Sequence, residues 1–496
     1  MANLHIVSFI QSLSEAEIRI AEDHLQKSQP LFSDNKNLES KELILFKYII
    51  ENKNRKIRDE EILAKIEIKD LSHLKVHLFN KVMESLTFDK YITNDSLFSE
   101  NDVASFKIKK WLFFFKVQFR VVNKGKIEAL NELLNTIIET AKVSEVYDGL
   151  VEALQFKKFQ VSFRLGTDEF NKANEEIAFY SYCYWAQMRA NDLYYQLILN
   201  KDFIKSLSEK ELDKHLKNSI KQLALDFKKT GSQQINYYLH IMQFAYYERE
   251  KNYKKAIEYC NKLIVLLKGS KVIFREERMG FALDNLALFK TFKGDYEGAI
   301  RDARNAQTYY LENSISYIIS KEQEFHASFY EKKYETATIC INILQQHSTL
   351  DTGEFRKSKF TYYKACVLFA TNKFKEALAT LQESLEIEKD KSRWNIALRI
   401  LQIQLFIDSN KIDEASNSLE SLRKYLERTE KNEEIKERDE LIVRFLREIE
   451  KNGFRYDSTR TAAKKMLEEL SDDKSNTAWE HFSQELIPFH EWLTSR

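Results

Sequence analysis

The hydrophobic and polar positions of the chain follow one short pattern that returns about every forty residues. An aromatic or large apolar residue, which we call the anchor, precedes two mostly polar residues and a small residue that opens an apolar helix face. The pattern is found at Phe170-x-x-Ala173, Tyr253-x-x-Ala256, Tyr296-x-x-Ala299, Tyr334-x-x-Ala337, Phe374-x-x-Ala377 and Ile412-x-x-Ala415. From Tyr253 onward the anchors are 43, 38, 40 and 38 residues apart, and a degenerate unit near Leu212 fills the longer gap before Tyr253. Self-similarity at such a period predicts a stack of helix pairs.

One unit shows how the pattern builds a helix hairpin. Ala287 lies on a predicted first helix, residues 293–295 form the turn, and Tyr296 begins the second helix. The second helix carries alanines at the spacing of one helix face, namely Ala299, Ala303 and Ala306. A stripe of alanines lets two helices approach closely, so we expect tight packing within and between hairpins.

These residues resemble the tetratricopeptide repeat family, whose motif has a small residue in the first helix, an aromatic after the turn and alanines in the second helix. The matching residues are Ala287, Tyr296, Ala299 and Ala306 in one unit, and Ala365, Phe374 and Ala377 in another. The resemblance covers roughly residues 105–450, but the period is longer than the family's ~34 residues and its closing proline is missing. Repeats of this divergent, long type are similar to those of bacterial regulatory and peptide-sensing proteins. The resemblance implies an all-α fold, a right-handed superhelical solenoid of about eight helix pairs with helical caps at both ends.

The repeat divides the sequence into three predicted regions. Residues 1–100 form an N-terminal bundle or cap, residues 101–450 the solenoid, and residues 451–496 C-terminal capping helices. The helices predicted in the N-terminal region are 14–27, 40–52, 59–67 and 70–87. The last of them could be the recognition helix of a helix-turn-helix, but residues 41–90 hold 11 basic and 9 acidic residues. Because a DNA reader is normally far more basic, a capping bundle is favoured.

The composition mainly excludes other classes of protein. The 496 residues include only 2 Pro and 10 Gly, which favours long helices joined by short loops. The formal net charge is +1, from 77 basic and 76 acidic residues, so no overall charge attracts nucleic acid or an anionic membrane. Neither a signal peptide nor a membrane-spanning apolar run is recognisable, and the four cysteines lack metal or disulfide spacing. We therefore expect a cytoplasmic protein.

Two local features have competing interpretations. Residues 103–127 lack acids and interleave seven basic residues with aromatics, a pattern that could bind single-stranded nucleic acid or a membrane. Trp111, Phe114 and Phe115 fall on one helix face, however, which favours a buried helix. His73 and His77 have a spacing that metals use, but no obvious third ligand is present in the sequence, so we predict no metal site.

The functional prediction follows from the repeat and from missing motifs. The sequence contains no P-loop, no dinucleotide-binding glycine motif and no nucleophile elbow. We therefore predict a protein without catalytic residues or cofactors, a scaffold or regulatory adaptor whose concave face binds a protein or peptide. The alternative is a transcriptional or signalling regulator whose N-terminal bundle contacts DNA or an effector while the repeats sense a peptide.

The resemblance also selects candidate groove residues. In this family's geometry the concave face carries first-helix residues roughly 15, 12, 8 and 5 positions before each anchor. Those offsets give Tyr238, Glu248, Asp284, Glu322, His326, Lys359 and Tyr362, and Arg249 lies one residue beyond the last offset of its unit. Such a mixture of aromatic and charged side chains is typical of a binding face, so we predict that these residues form the partner-binding groove.

Overall fold

A computed structural model describes residues 6–27, 40–66, 68, 70–86, 99–120, 127–162, 166–347, 354–382, 394–429 and 436–495. Within these ranges every regular element is a helix, and the fold class is all-α as predicted. The contacts divide the chain into two compact units, residues 1–184 and 185–496. The three regions predicted from the repeat pattern, 1–100, 101–450 and 451–496, stay predictions. In the described part of the chain no helix is long and apolar enough to cross a membrane.

Nine helices begin in the described part of the first unit. They are α1 (Ile6–Gln11), α2 (Glu15–Lys27), α3 (Lys41–Glu51), α4 (Asp59–Lys65), α5 (Leu71–Leu86), α6 (Glu100–Arg120), α7 (Ile127–Val143), α8 (Tyr147–Ser162) and α9 (Gly166–Tyr194). The four helices predicted between residues 14 and 87 are thus present as α2 to α5, although residues 67 and 87 lie outside the described residues. Their apolar faces, with Leu25, Phe46, Ile49 and Leu78 fully buried, share one core with α1.

Helix α6 corrects one expectation about the basic and aromatic stretch. Its buried seam consists of Ile108, Leu112 and Phe115, whereas Phe114 is 52% exposed. The prediction that Trp111, Phe114 and Phe115 form the core stripe was therefore wrong for Phe114. The seam is fixed by a close approach to α8, because a Cβ atom at Gly149 would lie 2.7 Å from the Ile108 side chain. Residues 121–126 of the stretch lie outside the described residues.

The second unit continues with a π-helical turn (Tyr195–Leu199) and further α-helices. These are α10 (Lys201–Ser206), α11 (Glu209–Thr230), α12 (Gln233–Arg249), α13 (Tyr253–Gly269), α14 (Glu276–Phe292), α15 (Tyr296–Gln307), α16 (Ile315–Tyr330), α17 (Tyr334–Gln346), α18 (Glu354–Ala370), α19 (Phe374–Gln382), α20 (Trp394–Asp408), α21 (Ile412–Thr429), α22 (Glu437–Lys451), α23 (Tyr456–Ala462), α24 (Lys464–Ser471) and α25 (Phe489–Thr494). From α13 to α21 each helix packs against the next one in the chain.

The hairpin turns share one backbone conformation. Two positions before each anchor from Tyr253 onward the backbone φ is positive, at Lys251, Gly294, Lys332, Asn372 and Asn410. The following N–H donates to a carbonyl five residues earlier, as from Asn252 to Tyr247 at 2.8 Å. This bond closes the first helix in the manner of a Schellman motif. The same turn occurs at Glu145 before Tyr147, which is therefore a further anchor, whereas Phe170 lies inside α9.

The small residues of the pattern form the seams between helices. Five of them are fully buried, namely Ala256, Ala299, Ala337, Ala377 and Ala415. The anchors link neighbouring hairpins, as where the Tyr253 ring stacks on Phe292 with centroids 4.8 Å apart. The second unit thus contains a stack of tetratricopeptide-like hairpins, in agreement with the sequence-based prediction.

The C-terminal part of the second unit contains an irregular segment. Between Ser471 and Phe489 the chain forms no α-helix. Residues 479–484 of this segment are called the strap below. The strap has fixed ends, because the buried Arg438 donates to the Thr477 carbonyl before it and pairs with Glu485 after it.

Candidate functional site: a helix face covered by the strap

The first helices of successive hairpins present one face to the strap. On α14 and α16 the contacting residues are Phe292 and Tyr330, each four positions before an anchor. His326 lies one turn earlier on α16, and Tyr362 contacts the strap from α18. Residues three or four apart share a helix face, so the repeat register brings these side chains to one surface. We call this surface the first-helix face.

Phe482 is the central contact of the strap. Its ring lies 4.7 Å from His326, 5.3 Å from Phe292 and 6.3 Å from Tyr330, measured between centroids. All three contacts have the edge-to-face geometry that aromatic quadrupoles favour. The Phe482 backbone N–H also donates to the Tyr330 hydroxyl at 3.0 Å. Phe482 has a φ of 60°, a left-handed conformation that bulky residues rarely adopt.

His481 extends the aromatic contacts on the other side of Tyr330. Its Nε2 lies 2.9 Å from the Tyr296 hydroxyl, and its ring lies 4.6 Å from Trp479. Burial lowers the pKa of His481 to about 4, with a further contribution from nearby His326. At neutral pH the ring is therefore uncharged and its Nε2 can accept the Tyr296 hydrogen.

Polar contacts fix both ends of the strap on the face. Lys251, in the turn before α13, pairs with Glu480 at 2.7 Å. The Tyr362 hydroxyl donates to the Gln484 carbonyl at 2.9 Å, and Lys436 donates to the Gln484 side chain at 3.2 Å. The strap is therefore held through backbone groups as well as through side chains.

A cavity of about 620 Å³ lies beside the strap. The strap contributes Gln484 to its wall, and the helices contribute Tyr362, Ala397 and Gln404. Ala397 is 15 positions before the anchor Ile412, so this offset also belongs to the first-helix face.

Three of the predicted groove residues form one buried cluster beneath Phe482. Lys359 donates to Glu322 at 2.7 Å, and His326 lies 3.1 Å from the Tyr363 hydroxyl, which in turn donates to Glu322 at 3.2 Å. Burial alone would raise the pKa of Glu322, but His326 at 3.7 Å and the Lys359 charge outweigh it and hold the pKa at about 2. We call Glu322, His326, Lys359 and Tyr363 the His326 cluster.

The other predicted groove residues, apart from Tyr362, have contacts away from the strap. The Tyr238 hydroxyl donates to Asn191 at 2.7 Å, and Arg249 pairs with Asp213 at 3.0 Å. Burial raises the pKa of Glu248. Asp284 accepts a hydrogen bond from Tyr310 at 2.9 Å, and burial raises its pKa to about 7. Their membership of a binding groove stays a prediction.

Sequence reasoning missed Phe292, Tyr330 and the strap itself. Phe292 and Tyr330 share an offset of four residues before their anchors, a recurrence that a systematic register of the repeat would have found. The strap shows a weaker signal, three ring-bearing residues (Trp479, His481 and Phe482) in a short stretch between helices.

The N-terminal pair of histidines shows no metal-site geometry. The His73 and His77 rings lie 5.9 Å apart, and His77 faces Glu42 at 3.2 Å. Among the residues that the structure describes, no group of three or more His, Cys, Asp or Glu side chains could hold a metal ion.

Comparisons with known proteins found distant structural similarity. No protein-family model and no curated protein sequence matches the chain. One similar solved structure is a signal transduction ATPase with numerous domains (STAND) with a tetratricopeptide repeat sensor from Pyrococcus horikoshii, at 14% identity and a TM-score of 0.39. The match covers 84% of this chain, which spans 63% of the length of that protein. A second is the tetratricopeptide repeat domain of P58(IPK), at 12% identity and a TM-score of 0.21, covering 78% of this chain and 98% of that domain. Both TM-scores are low, and the helical-repeat assignment rests on the hairpin turns and alanine seams described above.

Proposed function

We propose that this helical-repeat protein is a non-catalytic cytoplasmic scaffold or regulatory adaptor that binds a non-helical protein segment on its first-helix face. The observation that carries the proposal is the strap, a non-helical segment that this face already holds. Tyr330 and Tyr362 form hydrogen bonds with backbone groups of the strap, which a segment of any sequence offers. The ring contacts of Phe482 add specificity for an aromatic side chain. Affinity in such interfaces comes mainly from a few aromatic and charged residues.

The charges of the N-terminal bundle favour protein binding over DNA binding. On α5, the predicted recognition helix, Lys75 pairs with Asp59 at 2.6 Å and Lys81 with Glu42 at 3.1 Å. Phosphate contacts require cations that can approach the duplex backbone, and these two are engaged within the bundle. The proposal therefore assigns the binding function to the repeats.

The test compares two exposed isoleucines of one hairpin. Ile319 lies on the first helix α16 and is 45% exposed, and Ile339 lies on the second helix α17 and is 60% exposed. Ile319 is 15 positions before its anchor, the offset at which Ala397 lines the cavity beside the strap. The two residues thus offer the same side chain on the first-helix face and on a second helix.

The full-length chain and its Ile319→Arg and Ile339→Arg variants would be immobilised in the lysate of the native cell, and captured proteins quantified by mass spectrometry. We expect a partner retained by the parent and by Ile339→Arg to be depleted at least fivefold with Ile319→Arg. Because both sites are exposed, all three chains should melt within a few degrees of each other. Equal capture by Ile319→Arg and the parent would contradict binding on this face.

A further inference from the structure

We propose that the strap occupies the binding site of a turn-forming partner segment with matching chemistry, namely an aromatic residue with a carboxylate two positions before it and a hydrogen-bond acceptor two positions after it. This inference rests on the function proposed above and names the partner class. In the resting chain the strap and the partner segment would compete for one surface.

The register of the motif follows from three contacts of the strap. Phe482 enters the ring cluster of α14 and α16, Glu480 two residues earlier pairs with Lys251, and Gln484 two residues later accepts from Lys436. The three residues lie in a turn, in which the Ser483 N–H donates to the Glu480 carbonyl at 3.3 Å, and this turn brings their side chains to one surface. A partner segment with this spacing and the same turn can make the same three contacts.

Backbone recognition adds affinity without adding sequence specificity. The Tyr330 hydroxyl accepts the Phe482 N–H, and the Tyr362 hydroxyl donates to the Gln484 carbonyl. These bonds fix the direction and depth of the strap on the face. An incoming segment that runs in the same direction offers the same two groups.

The strap is held on the face at a conformational cost. Phe482 is held at a φ of 60°, and the polar contact to Lys251 is exposed, with 70% of the Lys251 and 61% of the Glu480 side chain accessible. Exposed ion pairs contribute little to stability.

We expect the strap to leave the face without unfolding the C-terminal helix. Arg438 holds the Thr477 carbonyl and the Glu485 carboxylate on either side of it, and Leu486 and Phe489 are fully buried after it. The cavity beside the strap gives the displaced residues room to move. We therefore expect a partner to displace the strap while the residues on either side of it stay in place.

The experiment uses the strap's own sequence as the probe. A fluorescein-labelled synthetic peptide of residues 475–488 would be titrated by fluorescence anisotropy against the full-length parent and against a His481→Ala/Phe482→Ala chain. We expect the doubly substituted chain to bind the peptide at least tenfold more tightly than the parent, because its own strap no longer fills the ring cluster. A peptide carrying Phe482→Ala should lose most of this affinity. Equal affinity of the parent and the doubly substituted chain would overturn the proposal.

A charge exchange tests the register of the peptide. Lys251→Glu, added to the doubly substituted chain, should weaken binding of the natural peptide by roughly two- to fivefold, and a peptide with Glu480→Lys should restore it. Absence of this rescue would mean that the peptide binds elsewhere, which contradicts the proposal. Circular dichroism melting would confirm that each chain is folded. The Ile319 and Ile339 comparison is independent of the strap peptide, so capture lost only with Ile319→Arg would leave the proposed function standing if the peptide failed.

Discussion

Two acidic residues at the same position of the repeat have opposite electrostatic environments. Glu322 and Asp284 each lie 12 residues before an anchor, on α16 and α14. Glu322 accepts hydrogen bonds from Lys359 at 2.7 Å and from Tyr363 at 3.2 Å, and its pKa is about 2. Asp284 accepts a hydrogen bond from the Tyr310 hydroxyl at 2.9 Å, while its Oδ1 has no hydrogen-bond partner within the described ranges. Burial raises the pKa of Asp284 to about 7.

The difference originates in the next hairpin rather than in the acidic residue. Lys359, the cation beside Glu322, lies 15 positions before the next anchor, Phe374. The equivalent position for Asp284, 15 residues before Tyr334, is Ile319. Lys359 contacts the acidic position of the preceding hairpin, and we infer that Ile319 faces Asp284 in the same register. The repeat therefore fixes where the acidic side chain lies on the face, while a single residue of the neighbouring hairpin determines whether its carboxyl is charged.

The largest expected effect comes from removing the cation of the His326 cluster. Lys359→Ile should lower the free energy of unfolding by roughly 2–3 kcal/mol at pH 7.5, because Glu322 would keep its buried charge without a counter-ion. The Lys359 and Glu322 side chains are only 14% and 20% exposed, so water cannot replace the lost partner fully. Urea denaturation of the full-length chain measures the change.

A second substitution provides the control for Lys359→Ile. Glu322→Gln in the same chain removes the uncompensated charge and should recover part of the loss, as a double-mutant cycle would show. If Lys359→Ile alone unfolds at the parent's urea midpoint, the ion pair does not distinguish the two environments.

The next effect concerns the pH dependence of Asp284. The carboxyl of an unfolded chain titrates near its ordinary pKa of about 3.9, whereas the folded chain keeps the proton up to about pH 7. The folded state thus binds more protons between these values, and the contribution of Asp284 to stability falls as the pH rises through that window. Asp284→Asn should therefore stabilise the chain by roughly 2 kcal/mol at pH 8 and by almost nothing at pH 4.

Urea midpoints at a series of pH values would measure this gain for Asp284→Asn against the parent. Thr291→Ala is a suitable companion variant, since Thr291 is buried on the same helix α14 and donates to the Ala287 carbonyl without titrating. Its effect should not vary with pH. A gain for Asp284→Asn that is constant from pH 4 to pH 8 would contradict a raised pKa for Asp284.

The fold was predictable where the pattern is local, and less so where a residue departs from its usual preference. Buried alanines such as Ala299 marked the hairpins because close helix packing admits little else. Tyr147 was missed because Leu150 replaces the small residue of the pattern. The left-handed turns at Lys251 and Lys332 gave no signal, since lysine rarely adopts a positive φ and only tertiary packing holds it there.

The candidate site was only partly predictable, because the strap lies far from its contacts in the sequence. Of the predicted groove residues, His326 and Tyr362 contact the strap, and Glu322 and Lys359 support it from beneath. Phe482 and Tyr330 are separated by 152 residues, and no periodicity connects an irregular segment with a helix face. Offsets from the anchors locate a surface, but they contain no information about which other segment covers it.

The smallest expected effect is also the sharpest test of the register, because it transfers the cation of one hairpin to the other. Ile319→Lys places an ammonium group at the offset that Lys359 occupies, next to the acidic position of the preceding hairpin. We expect the pKa of Asp284 to fall and the chain to gain about 1 kcal/mol at pH 8, a modest value because Ile319 is 45% exposed. Ile319→Met is the matched control, since it keeps an apolar side chain of similar size and should leave the pH dependence of the parent. If Ile319→Lys and Ile319→Met showed the same urea midpoints from pH 4 to pH 8, the neighbouring hairpin would not set the charge at this position, and the contrast between Glu322 and Asp284 would need another cause.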